Sequence, residues 1–179
     1  GLWRDRINFS FDVYTRNNFD ELGFLVTQGT GGDVLRPANV AEMNSHGLEL
    51  SLSTSNIKTK NFSWNTSFVY SYTDSKITKL YTANPVIQLV TGSGFAKQGY
   101  PARSLFSIPF EGISDQGLPL LRNEKGQITS DNINFQERNL TSYLKYEGPT
   151  DPKHTGSLGN IFTYKRFSLN IFLTMLSVM

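Results

Sequence analysis

Cysteine is absent from this chain of 179 residues, which excludes disulfides and thiolate metal centres. Charge is scarce and balanced: 17 Lys and Arg against 15 Asp and Glu leave a formal net charge of +2. With no basic run either, a nucleic-acid partner is excluded. Histidine occurs only as His46 and His154. Two isolated imidazoles do not make a regular ligand set, so both read as exposed residues in or beside loops, and no metal or cofactor is expected. No stretch approaches the roughly 20 apolar residues of a transmembrane helix. The chain opens Gly-Leu-Trp-Arg-Asp straight into a strand pattern and stops inside the apolar run 173–179. Both ends read as those of a piece of a longer protein.

Aromatic residues, by contrast, are plentiful: 13 Phe, 8 Tyr and 2 Trp. They are set among many Ser, Thr and Asn, a mixture suited to strands with one apolar and one hydrated face. Strict alternation bears this out over 6–15, where Ile7, Phe9, Phe11 and Val13 interleave with Asn8, Ser10 and Asp12. It recurs over 47–55 (Leu48, Leu50, Leu52) and over 62–72, where Phe62, Trp64, Phe68, Tyr70 and Tyr72 share a face. The polar turn 57–61 makes these two a hairpin. A last strand is predicted over 158–176. Its apolar set moves from even positions (Phe162, Tyr164) to odd ones (Phe167, Leu169, Ile171, Leu173) near Lys165 and Arg166, as a bulge or a change of membrane zone would produce.

Two long loops are expected, 18–46 and 74–157. The first holds Gly29-Thr30-Gly31-Gly32, a loop tip and not a phosphate loop, since no Lys-Ser/Thr and no helix pattern follow. The second carries Pro85, Pro101, Pro109, Pro119 and Pro149, has weak periodicity, and allows short strands near 105–110 and 140–146. A loop this long points to function. Strands of ten residues or more, joined by alternating short and long connections, fit an outer-membrane barrel with short periplasmic turns and long extracellular loops. The fold class is therefore all-β, antiparallel strands from a transmembrane β-barrel. Four strands cannot close a barrel, so the chain is expected to be an open fragment. A soluble β-sheet module with 74–157 as its ligand loop is the alternative.

Several segments carry a family resemblance. Residues 39–49, Asn-Val-Ala-Glu-Met-Asn-Ser-His-Gly-Leu-Glu, look like the Asn-x-Gly-x-Met-x-Asn-x-Gly-x-Glu stretch of the SusC/RagA family, with Ala41 for a Gly and His46 for a Lys. Asp12-Val13-Tyr14-Thr15-Arg16-Asn17 resembles the strand before it, and Phe62-Ser63-Trp64 the Phe-x-Trp strand start after it. In the long loop, Gly99-Tyr100-Pro101, Phe110-Glu111-Gly112-Ile113 and Gly117-Leu118-Pro119 match, as does 159–167 beyond it. The order and spacing of these segments over nearly the whole chain are what is specific. Members are TonB-dependent transporters of the Bacteroidetes outer membrane, with a plug and a barrel of about 22 strands. The resemblance covers only a late part of that barrel. It implies active import of glycan or peptide oligomers, a SusD-like lipoprotein and TonB as partners, and membrane lipid around the wall.

Catalysis has little support. No Gly-x-Ser-x-Gly elbow is present, and the acid pairs Asp20 with Glu21 and Glu111 with Asp115 lie in loops, where carboxylates are solvated. A secreted hydrolase is disfavoured and no catalytic residue is assigned. Ligand or lid contact is expected on the long loop, at Tyr100, Arg103, Phe106 and Phe110.

Overall fold

The computed structural model describes residue 3, residues 6–26 and residues 35–178. The glycine loop 29–32 lies outside the described residues. In chain order the elements are β1 (Ile7–Val26), β2 (Leu35–Lys58), β3 (Phe62–Leu80), α1 (Val86–Thr91), β4 (Ser104–Ser107), β5 (Phe110–Ile113), β6 (Pro119–Arg122), β7 (Ile128–Thr129), β8 (Lys145–Pro149), β9 (His154–Tyr164) and β10 (Phe167–Ser177). Five strands form one sheet in the order β1-β2-β3-β9-β10, while β4 pairs with β8 and β5-β6-β7 make a small sheet. The fold is all-β and antiparallel, and the large sheet is open.

Three expectations about the strands need correction. The first two strands run far into the segment read as a loop: β1 has 20 residues and β2 has 24. Their polar stretches lack an apolar alternation, yet they pair all the same; Asn44 Nδ2 donates to Asn17 Oδ1 across them at 2.7 Å. The strand expected over 158–176 is two strands. Tyr164 sits opposite Phe167, so Lys165 and Arg166 are the loop of a two-residue hairpin, and Lys165 takes the left-handed φ of 53° that such turns require at their first central residue. Both histidines, read as exposed residues in or beside loops, lie on strands, His46 exposed and His154 at a strand end beside a loop. His46 is within β2, and His154 opens β9 with its Nδ1 2.7 Å from Tyr70 Oη.

The chain divides into two compact units, one of Gly1–Arg16, Ser45–Asp74 and Pro152–Met179, the other of Asn17–Asn44 and Ser75–Asp151. In the first, the registers Trp64↔Phe162, Phe68↔Leu158 and Thr66↔Asn160 set the even residues of β3 and β9 on one face. The odd residues of β10 join them: Phe167, Leu169, Ile171 and Leu173. A hydrogen bond from Asn56 Nδ2 to Thr66 Oγ1, 2.6 Å, adds the face of Leu48, Leu50 and Leu52. Ser63, Asn65, Ser67 and Ser71 look the other way, as do Thr155, Ser157 and Thr163, with Val69, Ile161, Phe172 and Leu176 as apolar exceptions. Tyr14 Oη lies 2.7 Å from Thr73 Oγ1 on that side.

Aromatic rings gather at one end of the apolar face. Phe62, Trp64, Phe162, Tyr164 and Phe167 all lie within three residues of the short turns 59–61 and 165–166. Trp64 stacks on Phe162 at 5.5 Å, and Lys165 N donates to Asn61 O at 2.9 Å, tying the two turns together. This is the arrangement of an interfacial aromatic girdle.

The second unit has what the first lacks. Among the described residues, every buried hydrophobic side chain belongs to it. Val86, Leu89, Ala96, Phe106 and Leu144 form one core cluster, and Val40, Ala41 and Ile77 another. In the first unit the sheet's apolar side chains are exposed or only part-buried, with Phe167 exposed by 79% and Phe11 by 53%.

Candidate functional site: the loop unit

The second unit is built from the strand ends upward. β3 stops before Pro85, which lacks an N–H and fixes the entry to α1. Val86 N then donates to Glu137 O and Ile87 N to Phe135 O, both at 2.9 Å, which pins the helix to 135–137. Gly92, at φ 67°, ends the helix in the left-handed conformation. Beyond it, two backbone bonds of 2.9 Å clamp Gly99 and Tyr100 to Ile77 of β3.

The four residues singled out in the sequence fall into three settings. Tyr100 and Phe106 come together, with ring centroids 5.2 Å apart, and Tyr146 closes the trio at 4.8 and 5.5 Å. Phe106 is only 2% exposed and belongs to the core. Arg103 is engaged by Asp151, whose two carboxylate oxygens accept from Nε and Nη2. Phe110 stands on β5 with its ring 61% exposed. Tyr146 was missed because it lies 40 residues and more from its partners; only the β4–β8 register, Phe106↔Tyr146, brings it there.

A cavity of about 440 Å³ opens in this unit, with Leu22, Phe24 and Phe95 among its apolar lining and Asn84, Gln88 and Ser93 among its polar lining. Apolar walls with a few polar groups, at this volume, are the make-up of a ligand pocket. Sequence reading missed it because Leu22 and Phe24 lie where a loop was expected.

Three carboxylates of this unit are occupied. Glu137 accepts from the N–H groups of Leu140, Asn139 and Arg138, which hold its pKa below the ordinary glutamate range. Glu111 is lowered by the Arg122 guanidinium 2.8 Å away, and Glu147 by Ser107 Oγ and then Lys145. None of the three can hold a proton near neutrality for general-acid work. No group of three or more potential metal ligands occurs among the described residues.

A family model for the TonB-dependent receptor-like β-barrel matches residues 2–177. The chain belongs to that family. The family is one of outer-membrane receptors and transporters, not of enzymes. Two receptors of Formosa agariphila are similar. TonB-dependent receptor P3 is 24% identical over 96% of this chain and 18% of its own length, and TonB-dependent receptor P39 is 32% identical over 55% and 9%. Among solved structures, the RagAB peptide importer in its closed-closed state superposes with a TM-score of 0.69 at 22% identity, covering 97% of this chain and 19% of that one. Its open-open state gives 0.67 at 23% identity over 97% and 19%. At these identities the likeness is one of fold. The chain spans less than a fifth of the length of these relatives. This TonB-dependent receptor segment thus accounts for the open sheet described above.

Proposed function

We propose that residues 1–179 are a late wall segment, from the C-terminal region of the barrel, of an active importer in the cell outer membrane. One observation carries the reading: in the first unit the large sheet has an apolar face, with aromatic rings gathered by its short turns, and no buried hydrophobic side chain among the described residues. A soluble sheet must bury such a face, whereas a barrel wall gives it to lipid. On this reading the short turns 59–61 and 165–166 are periplasmic and the loop unit is extracellular. The whole protein takes up glycan or peptide oligomers, driven by TonB and served by a SusD-like lipoprotein. A structural relative being a peptide importer favours peptide as the first substrate class to try.

Ligand or partner contact falls on the loop unit. Phe110, exposed on its small sheet, is the ring proposed to touch. Tyr100, Phe106 and the Arg103–Asp151 pair hold the surface that a ligand or lid meets. The test is uptake by the host bacterium. Deleting the gene for the intact protein is expected to abolish uptake of a fluorescent peptide pool or oligosaccharide pool, and collapsing the proton-motive force in the wild type is expected to do the same. Unchanged uptake of both pools after deletion would refute the proposal.

A further inference from the structure

A second recess of about 230 Å³ shares Thr82 and Asn84 with the larger cavity and is lined by Lys97 and Arg138, with Gln98 and Thr141 beside them. No Asp or Glu lines it. Lys97 is half-buried, with its Nζ 5.5 Å from the centre of the Phe106 ring and 3.2 Å from Thr141 O, to which it donates. Arg138 Nη1 donates to Ala83 O at 3.2 Å. Neither cation has an ion-pair partner among the described residues.

Among the described lysines and arginines of this unit Lys97 alone is part-buried, and several of the exposed ones are matched by an acid. Arg103 has Asp151, Arg122 has Glu111 and Lys145 has Glu147. The nearest acid in sequence, Glu137, turns its Oε1 to three backbone N–H groups and is not ion-paired with either cation. Burial pushes the Lys97 ammonium pKa down with no acid to offset it. A half-buried ammonium left in that condition is destabilising on its own. An ammonium has three donors and a guanidinium five, so each cation, with one bond made, keeps donors for an incoming group. An Arg fork and a Lys point charge together suit a carboxylate, which accepts at two oxygens.

We propose that Lys97 and Arg138 form a subsite that takes a carboxylate carried on the imported oligomer. The inference rests on the reading of this unit as the ligand-handling side of an importer, and it adds the chemical class. The carboxylate comes either from an acidic side chain or terminus of a peptide or from a uronate of a glycan, and the experiment separates the two.

The intact protein is purified in detergent, and binding of four oligomers is measured by calorimetry: hexaglutamate, hexaglutamine, hexagalacturonate and its methyl ester. At least one acidic oligomer is expected to bind about tenfold or more tighter than its neutral counterpart. The backbone of the preferred oligomer then names the source. K97Q and R138Q are each expected to erase most of that preference, and K97R to keep it. R138Q alters an exposed side chain, so it reads the site even if K97Q fails to fold. Equal binding of acidic and neutral oligomers overturns the proposal, as does a preference that survives both Gln variants. Binding in detergent needs neither TonB nor a membrane potential. Failure here with intact uptake in cells would therefore remove the subsite and leave the importer reading standing.

Discussion

At Gly47, a Cβ would press on the Tyr72 carbonyl oxygen and lie 2.7 Å from Tyr14 Oη and 2.8 Å from its Cζ. The backbone atom cannot yield, because Tyr72 is fixed opposite His154 in the β3–β9 ladder. Gly47→Ala is therefore expected to cost about 1–3 kcal/mol, read as a lower denaturation midpoint of the intact protein in detergent. An unchanged midpoint would show that the strands part more easily than this packing implies. Glu137 makes a second prediction at this scale. Its folded pKa is depressed, so the order it confers is present above the ordinary glutamate range and is lost as pH falls through the depressed value. Amide exchange at Asn139 and Leu140, corrected for its intrinsic rate, is expected to speed up in that acid window, and Glu137→Gln to remove the step. Exchange that ignores pH in the wild type would discard the capping role. The sequence marked Phe106 and Phe110 alike as loop aromatics. Their opposite fates, buried and exposed, depend on Tyr146 and Leu144 arriving from some 40 residues away, which no local pattern records.

The strands show how far alternation can be read. Period two found β3 as far as Tyr72 and the run Phe167–Leu173 of β10, because each apolar residue there faces the same side as its neighbours two apart. It also registered the switch of parity at Lys165 and Arg166 but not its cause. In a two-residue hairpin, partners such as Phe162 and Leu169 carry numbers of opposite parity, so one continuous apolar face must change from even to odd at the turn. Lys-Arg lacks the Asn-Gly or Asp-Gly signature of such turns, so nothing local announced it. Within the apolar face runs a polar chain. Trp64 Nε1 donates to Asn160 Oδ1 at 2.9 Å, Thr66 Oγ1 donates to the same oxygen at 2.8 Å, and Asn56 donates to Thr66. One amide oxygen thus satisfies donors on β3 from its place on β9. Where lipid replaces water, those donors have no substitute acceptor. Asn160→Ala is expected to destabilise the intact protein by about 1–3 kcal/mol, seen by urea unfolding in lipid or detergent. A loss indistinguishable from zero would mean that water reaches this site and that the turn end lies clear of the membrane.

For the molecule as a whole, the argument turns on where the core is. The family was legible from ordered segments such as 39–49 and 159–167, and the barrel character from strand length and alternation. What could not be read was that the longest supposed loop would hold the buried core, since its clusters join Val86 and Leu89 to Phe106 and Leu144 through contacts distant in sequence. In the first unit the sheet has no buried hydrophobic side chain, exposes Phe9, Val13, Leu169 and Leu173 on its apolar face and, among the described residues, ends in two edge strands, β1 and β10. Five strands fall short of the roughly eight needed for closure, and open apolar edges recruit other chains. The 179-residue chain alone is accordingly expected to be monodisperse and β-rich only in detergent, and to aggregate in plain buffer, by light scattering with circular dichroism. Restored nutrient uptake in a transporter-deficient strain is not expected from it, because an unclosed wall encloses no path. A sharp monomer in plain buffer would mean that the apolar face is covered in solution, and the sheet would then belong to a soluble binding module and not to a membrane wall.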